Sequence, residues 1–387
     1  MKENERLKIV FVLRTNIRMG AGTEKTAYYY MKYLPRNIWD PYLLMTDFID
    51  FERFSLPLDI MEDRIVKIKN LEKKFVFLKN IPRIGYDVYE LSQYVISYLT
   101  AFYNRKIIKK LGHKDIVFAI YFHGVHFFRM NKTMFVGTDQ TIEAVHGNDL
   151  KSKFTYLLHI IFFKKFHIIQ KLSNRQMADY YAGVKTFLLR SGYDPDIFYP
   201  RSLSLNSKVT FLFIARLVPG KGLRTLLQAW KIAEDSGLKD AELHIIGSGE
   251  LSDIIPKDES IVYHGRVEEE EMADIVGTMD FFVYPSTSDT FALVMVEALG
   301  SGCHVLTVEY FKGIYDEEEK LGYLEYLKKD PELIAEKILT ASKEVNKFRE
   351  QRIEQAEFIK NKYSWENVVE ELSVILLEAF DNFREIS

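Results

Sequence analysis

Between Lys208 and Val308 continuous apolar runs alternate with amphipathic ones. "KVTFLFIARL", residues 208–217, is the kind of unbroken run carried by parallel strands that are covered on both faces. "PGKG" interrupts it, and from Leu223 the apolar residues Leu226, Leu227, Trp230 and Ala233 fall at helical spacing, with Gly237 where a C-cap belongs. "ELHIIGSG" predicts a strand and a glycine turn. "SIVYHG", the helix-like "EEEEMADIVGTM", the strand "DFFVYPS", the helix-like "ALVMVEALGSG" and the strand "HVLTV" continue the series. Such alternation predicts an α/β fold with a doubly wound parallel sheet.

The first half has the same grammar, less cleanly written. A strand "LKIVFVL" leads through the loop "RTNIRMGAG" to a helix from about Thr23, and further strands are predicted at "DIVFAIY", "IEAVHG" and "FHIIQKLS". This reads as a second sheet of similar type. Turn residues cluster in "SGYDPDIFYPRSLSLNSK", residues 191–208, and mark the boundary between residues 1–200 and 201–364.

At 387 residues, two domains of ordinary size are expected, and 47% hydrophobic with 28% charged residues describes a globular protein. One cysteine, Cys303, excludes an intramolecular disulfide framework and suits a reducing compartment. The opening "MKENERLKIVFVLRTN" lacks the pattern of a signal peptide, so the cytoplasm is the expected location. The net charge of -3 conceals an asymmetry. Residues 1–200 hold 31 Lys+Arg against 20 Asp+Glu, and the remainder 21 against 35. Either the first half meets an anionic partner or surface, or the split reflects composition alone.

Chemistry concentrates in "SDTFALVMVEALGSG", residues 288–302. A helix starting after Asp289 directs its first N–H groups and its positive dipole end into the crevice at the carboxyl ends of parallel strands, which makes an anion site. Thr290, Phe291, Ala292 and Leu293 then form a phosphate cradle, with the amides of Phe291 to Leu293 as donors. Glu297, about two turns on, can accept both hydroxyls of a ribose. In "ARLVPGKG", Arg216 ends a strand and Lys221 lies in the following turn, so a guanidinium fork and a mobile ammonium can converge on the same crevice. Taken alone, Asp289 can equally be a cap and Glu297 an ordinary helix residue.

Residues 208–310 resemble the donor half of a family 4 retaining glycosyltransferase (glycosyl transferases group 1) of the GT-B fold. The matching pieces, in order, are "FIARLVPGKGLRTLLQAW", "AELHIIGSGE", "YHGRV", "DFFVYPSTSDTFALVMVEALGSG" and the late "YSWENVVEEL". "GAGTEKTAYYYMKYL", "AVHG" and "SGYDPDIFYP" in the first half are similar to family landmarks, more loosely. The resemblance implies two Rossmann-like domains facing across a cleft. Residues 1–200 would bind acceptor, residues 201–364 would bind the nucleotide sugar, and a final helix at about 365–387 would pack back onto the first domain.

It also implies roles. Glu297 would hold the nucleotide ribose, Asp289 would face the transferred sugar, Arg216 and Lys221 would neutralise the diphosphate, and the backbone at Gly265 and Val267 would meet the base. His146 would lie near the sugar. Two departures stand out: the first acid of the family's glutamate pair is here Asp289, one methylene shorter, and Ala292 replaces a usual glycine. Retention at the anomeric carbon follows from the resemblance, with a nucleoside-diphosphate sugar as co-substrate, no further cofactor and no metal.

Smaller signals have structural readings beside functional ones. Gly20 and Gly22 in "RMGAGTEK" precede a helix, so their amides can contact donor phosphate, and Glu24 in its first turn suits the helix dipole as well as a function. Asp194 and Asp196 in "YDPDIF" read as a turn, not a metal pair. His123 and His126 lack companion ligands. Residues 103–114 and 151–171 are basic and aromatic-rich, and can be either solvated faces or a docking surface for an anionic membrane carrying a lipid-linked glycan. No binding module points to nucleic acid. "FTYLLHIIFF" is too short for a span, which takes ~20 apolar residues. The expected function is glycosyl transfer to a glycan or lipid-linked acceptor. The alternatives are a sugar-nucleotide epimerase or hydrolase on the same fold, and a non-catalytic nucleotide-sugar-binding partner of a transferase.

Overall fold

A computed structural model describes residues 6–13, 21–46, 62–69, 71, 95–96, 99–120, 132–139, 157, 163–173, 183–202 and 208–386. The chain divides into two compact units, residues 1–190 with 368–387 and residues 191–367.

Among the described residues, unit 1 contains seven strands: β1 (Leu7–Leu13), β2 (Trp39–Thr46), β3 (Ile65–Ile68), β4 (Ile116–Ile120), β5 (Met134–Asp139), β6 (Ile168–Lys171) and β7 (Lys185–Leu188). They form one parallel sheet in the order β3-β2-β1-β4-β5-β6-β7. Ile9 to Leu13 and Ile116 to Ile120 are buried throughout, which is why these strands read as solid apolar runs. The helix Ala21–Tyr33 buries Tyr28 to Met31, and Gln170 Nε2 donates to both the Tyr30 hydroxyl and the Leu189 carbonyl.

The predicted strand at "IEAVHG" lies outside the described residues. Four strands carried no sequence signal strong enough to be read. One of them, Trp39–Thr46, contains Pro41, which is tolerated because β3 pairs only from Leu43 onward and leaves that stretch of β2 at an edge.

Unit 2 contains, among its described residues, β8 (Val209–Ile214), β9 (Ala241–Ile246), β10 (Ile261–Gly265), β11 (Phe281–Tyr284), β12 (His304–Val308) and β13 (Leu324–Leu327). Its sheet is parallel, in the order β10-β9-β8-β11-β12-β13. The strand order reverses between β8 and β11, as in a dinucleotide-binding sheet. Phe211 and Phe281 face each other across that join with ring centroids 4.9 Å apart, and Trp230 meets Phe211 edge-on at 5.5 Å. The helix Leu223–Asp235 buries Leu223, Leu226, Ala229, Trp230 and Ala233. It ends where Gly237 takes φ 99° and Leu238 N–H reaches back to the Ala233 carbonyl.

The helix Val345–Tyr363 is fastened to the sheet by Arg349, whose Nε and Nη2 lie 2.7 and 2.9 Å from the two oxygens of buried Asp280. The last helix, Trp365–Ile386, begins in unit 2 and continues into unit 1. There Ser373 Oγ accepts the Trp39 indole N–H at 2.7 Å, and Phe383 meets His167 edge-on at 4.7 Å. No described helix is long and apolar enough to cross a membrane.

Candidate active site in unit 2

Two loops leave the sheet at the reversal of strand order, one after β8 and one after β11, and they are interlocked. Gly222 adopts φ 90° as the N-cap of the helix that follows, and a Cβ there would collide with the Pro285 carbonyl. Only glycine permits this approach. The Thr287 N–H donates to the Gly220 carbonyl at 2.9 Å. A third loop, after β9, is held as closely. Gly247 has no room for a Cβ beside the Ala215 carbonyl, and its N–H donates to the Gly265 carbonyl at 2.7 Å.

Lys221, carried between Gly220 and Gly222, forms a part-buried ion pair through Nζ with Asp289 Oδ1. Asp289 Oδ2 accepts from the Tyr284 hydroxyl at 2.8 Å and from Ser286 Oγ at 2.7 Å. Three donors therefore converge on one carboxylate. Burial, and next the Asp289 charge, raise the Tyr284 phenol well above its ordinary value, so it stays protonated and donating. Arg216 lies just past β8, on the loop that carries Lys221, and its charge acts on Tyr284 in the direction opposite to burial.

The helix Leu293–Gly300 begins directly after this cluster. Its N-cap, Ala292, has φ 60° and ψ 76°, a left-handed conformation that glycine takes freely and alanine does not. Phe291 is anchored: its carbonyl accepts from the Tyr315 hydroxyl at 2.6 Å and its ring stacks on Tyr315 at 5.5 Å. The helix starts four residues after Asp289, whose charge Lys221 balances, and its first amides and positive dipole end are of the kind that suits a phosphate. Glu297 is buried one turn into this helix, closer to its start than the two turns read from the sequence, because the helix begins at Leu293 and not at Asp289. Thr290 is half-buried in the same loop.

Arg216, Lys221, Asp289 to Leu293 and Glu297 thus belong to one corner of unit 2. Gly265 ends β10 and Val267 follows it, two strands from β8, on the same carboxyl side. His264 sits where the β9–β10 register shifts, and its Nε2 lies 3.0 Å from His244 Nδ1. Tyr284 and Ser286 were missed in the sequence, where one reads as a strand residue and the other as a loop residue. The signal was their place at the carboxyl end of β11, five and three residues before the acid.

In unit 1, Gly22 belongs to the first turn of the helix Ala21–Tyr33, where its carbonyl accepts from Thr26 Oγ at 2.8 Å, instead of to the loop before it. Gly20, His146, His123 and His126 lie outside the described residues. Asp194 forms a turn: its Oδ1 accepts from the Asp196 N–H at 3.0 Å and its carbonyl from Phe198 N–H at 2.9 Å. No group of three or more metal-ligating side chains occurs among the described residues.

Residues 208–344 match the family profile described as Glycosyl transferases group 1. A GDP-mannose-dependent alpha-mannosyltransferase of Corynebacterium glutamicum is 28% identical over 127 residues, which cover 32% of this chain and 26% of that protein. MJ1607, an uncharacterized glycosyltransferase of Methanocaldococcus jannaschii, is 27% identical over 197 residues, covering 48% of this chain and 49% of that protein. The match therefore spans half or less of these curated relatives. The crystal structure of Anabaena Alr3699/HepE in complex with UDP and glucose aligns with a TM-score of 0.69 at 14% identity, over 96% of this chain and 100% of that one. With its two parallel doubly wound sheets, the chain has the GT-B fold.

Proposed function

We propose that the chain is a retaining family 4 glycosyltransferase that moves a sugar from a nucleoside-diphosphate sugar to a glycan acceptor. The observation that carries this reading is that Arg216, Lys221 and the start of the helix Leu293–Gly300 all follow the two neighbouring strands at the reversal of strand order, where the loop of Lys221 is paired to the loop of Asp289. The family profile over residues 208–344 supports it.

In this reading the diphosphate lies against the first amides of that helix, from Phe291 to Leu293, with Thr290 and Ala292 in the same cradle. Arg216 and Lys221 face the phosphate oxygens and Glu297 accepts the ribose hydroxyls. The backbone at Gly265 and Val267 meets the base. As the bond from sugar to phosphate stretches, negative charge grows on the diphosphate, and fixed cations and amides stabilise it. These groups supply the charge that a bound metal supplies in other transferases. Lys221 leaves Asp289 for the incoming diphosphate, which frees Asp289 Oδ1 for a hydroxyl of the transferred sugar. Tyr284 and Ser286 keep the carboxylate in position meanwhile. The departing phosphate takes the proton of the acceptor hydroxyl on the face it leaves, so configuration is retained. His146 belongs near the sugar by the same resemblance.

Acceptor binding falls to unit 1, and one surface of that unit favours a lipid-linked acceptor. Over residues 99–110, Thr100, Ala101, Asn104 and Ile108 are buried, whereas Leu99, Phe102, Tyr103 and Ile107 are 42%, 50%, 57% and 38% exposed. Arg105, Lys106, Lys109 and Lys110 are exposed among them, and no acid occurs between Glu90 and Asp115. Apolar side chains ringed by cations suit peripheral docking on the cytoplasmic face of an anionic bilayer.

A panel of nucleotide sugars tests the transferase reading by thermal shift and product analysis. The UDP and glucose held by HepE and the GDP-mannose named for the Corynebacterium relative make those donors the first to try. A true donor raises Tm by mass action and is consumed. Stabilisation without consumption would favour a non-catalytic nucleotide-sugar-binding partner. Consumption that yields only free sugar or an isomer would favour a hydrolase or epimerase. No stabilisation by any donor would sink the reading.

A further inference from the structure

Glu24 lies in the first turn of the helix that follows β1, and β1 is the strand at which the order of unit 1 reverses toward β4. Only 6% of its surface is exposed, and Oε2 is buried with no hydrogen-bond partner among the described residues. A buried carboxyl with an empty acceptor is costly, and proteins ordinarily pair such groups or dispense with them. The helix dipole offsets part of the cost but satisfies no lone pair on Oε2. Burial raises the group to about 7, opposed by its own backbone N–H, with no charge of the described residues contributing. Near neutrality it is therefore a mixture of acid and carboxylate. An orphaned acceptor of this kind, at the end of a parallel sheet where ligands bind, marks a contact completed by a ligand.

We propose that Glu24 is a substrate-contacting residue of unit 1, its Oε2 accepting a hydrogen bond from a hydroxyl of a polyhydroxylated acceptor, the glycan. This rests on the transferase reading above. Sugar hydroxyls both donate and accept, so they satisfy the group in either protonation state. An ammonium ligand would require the fully ionised form, which burial disfavours, and a phosphate would bring a second anion to it.

The test compares wild type with Glu24→Gln and Glu24→Ala. Glycan binding is read by saturation-transfer NMR against hexoses, N-acetylhexosamines and short oligosaccharides, alongside UDP and GDP binding and Tm. Glu24→Ala is expected to lose about tenfold to a hundredfold in glycan affinity, the range of a hydrogen bond to a charged group. Glu24→Gln, which keeps an acceptor oxygen, loses less. Nucleotide affinity stays within about twofold and Tm holds or rises, because an unsatisfied buried carboxyl has been removed. A merely structural glutamate would lower Tm instead. Equal glycan binding by Glu24→Ala and wild type overturns the proposal, as does a fall in Tm in both variants or a wild type that binds no glycan in the panel. If wild type binds glycan yet consumes no nucleotide sugar, the transferase reading fails while the Glu24 comparison is still decided on binding.

Discussion

The ammonium of Lys221 and the carboxylate of Asp289, 68 residues apart in sequence, form an ion pair that ties the loop after β8 to the loop after β11. The cation proposed for the diphosphate and the acid proposed for the sugar are thus each other's partners before any ligand arrives. Lys221→Ala and Arg216→Ala are expected to lower kcat/KM about a hundredfold or more, the loss typical of removing one preorganised donor from developing charge. Folding stability changes little by comparison, because Asp289 retains Tyr284 and Ser286 as donors. Steady-state kinetics beside thermal melts measure both, and folded variants with near-normal turnover would remove the assignment.

The two acids separate by what they hold. Glu297→Gln is expected to weaken UDP or GDP binding about tenfold, since a neutral amide accepts ribose hydroxyls less strongly than a carboxylate. Asp289→Asn leaves diphosphate affinity equal or higher, because Lys221 no longer has a competing anion, while transfer falls. Calorimetric titration of the diphosphates decides this, and parent-like binding by Glu297→Gln would refute its ribose role.

Ala292 holds a conformation that costs an L-residue roughly 1–2 kcal/mol relative to its right-handed alternative. Ala292→Gly removes that strain but adds backbone entropy to the unfolded chain, for an expected net gain of up to about 1 kcal/mol. Its Tm rises and donor binding is kept or improved, because the cradle loses a methyl group. A lower Tm in Ala292→Gly would show that the alanine methyl is packed usefully there.

Three histidines of unit 2 stay neutral in the fold. Burial lowers His244, with His264 adding to the effect, and burial also lowers His264 and His304. As pH falls the unfolded chain takes up protons on these residues before the folded one does, so their contribution to stability is intact above about 6.5 and is lost as pH drops through the lowered values. Glu242 and Glu325 oppose the loss without reversing it. Melts from pH 7.5 to 5 are expected to show a falling Tm, with a shallower fall in His244→Gln/His264→Gln. Superimposable curves would mean that the pair titrates alike in both states.

Sedimentation with vesicles tests the exposed basic and apolar face at residues 99–110. Each basic residue near an anionic surface contributes ~1 kcal/mol, so Arg105, Lys106, Lys109 and Lys110 together suffice for reversible binding. Pelleting is expected with phosphatidylglycerol vesicles at low salt, to fade as salt rises, and to be lost in Leu99→Ser/Ile107→Ser. Protein that stays in the supernatant with anionic and neutral vesicles alike would point to a soluble acceptor. Residues 151–171 bear on this less directly: among those described, Leu157 is 52% exposed, Phe163 is buried, and Lys164 and Lys165 are exposed.

Unit 2 was legible where its strands are buried, as β8, β11 and β12 are, and appear as apolar runs, whereas β13, in which only Leu324 is buried, was not read. The site was legible as positions: Arg216 and Lys221 after one strand, Asp289 and Glu297 after another. Their pairing was not, since contact across 68 residues depends on which strands are neighbours, and β8 lies beside β11 only once the sheet has reversed direction. Nor does sequence alone state that Ala292 adopts positive φ; it offers only the absence of a glycine. In unit 1 the short edge strand Lys185–Leu188 exposes Lys185 and Thr186, so no apolar run marks it. The resemblance was strongest where backbone geometry is constrained and looser in unit 1.

The path of the helix Trp365–Ile386 also sets a schedule for synthesis. A ribosome delivers the seven strands of unit 1 early, yet the residues that cap its Trp39 indole and cover His167, Ser373 and Phe383, emerge among the last. Unit 2, continuous in sequence, can close before the half that precedes it is complete. The nascent first half therefore waits for Ser373 and Phe383, and a stop codon anywhere before them would leave that wait permanent.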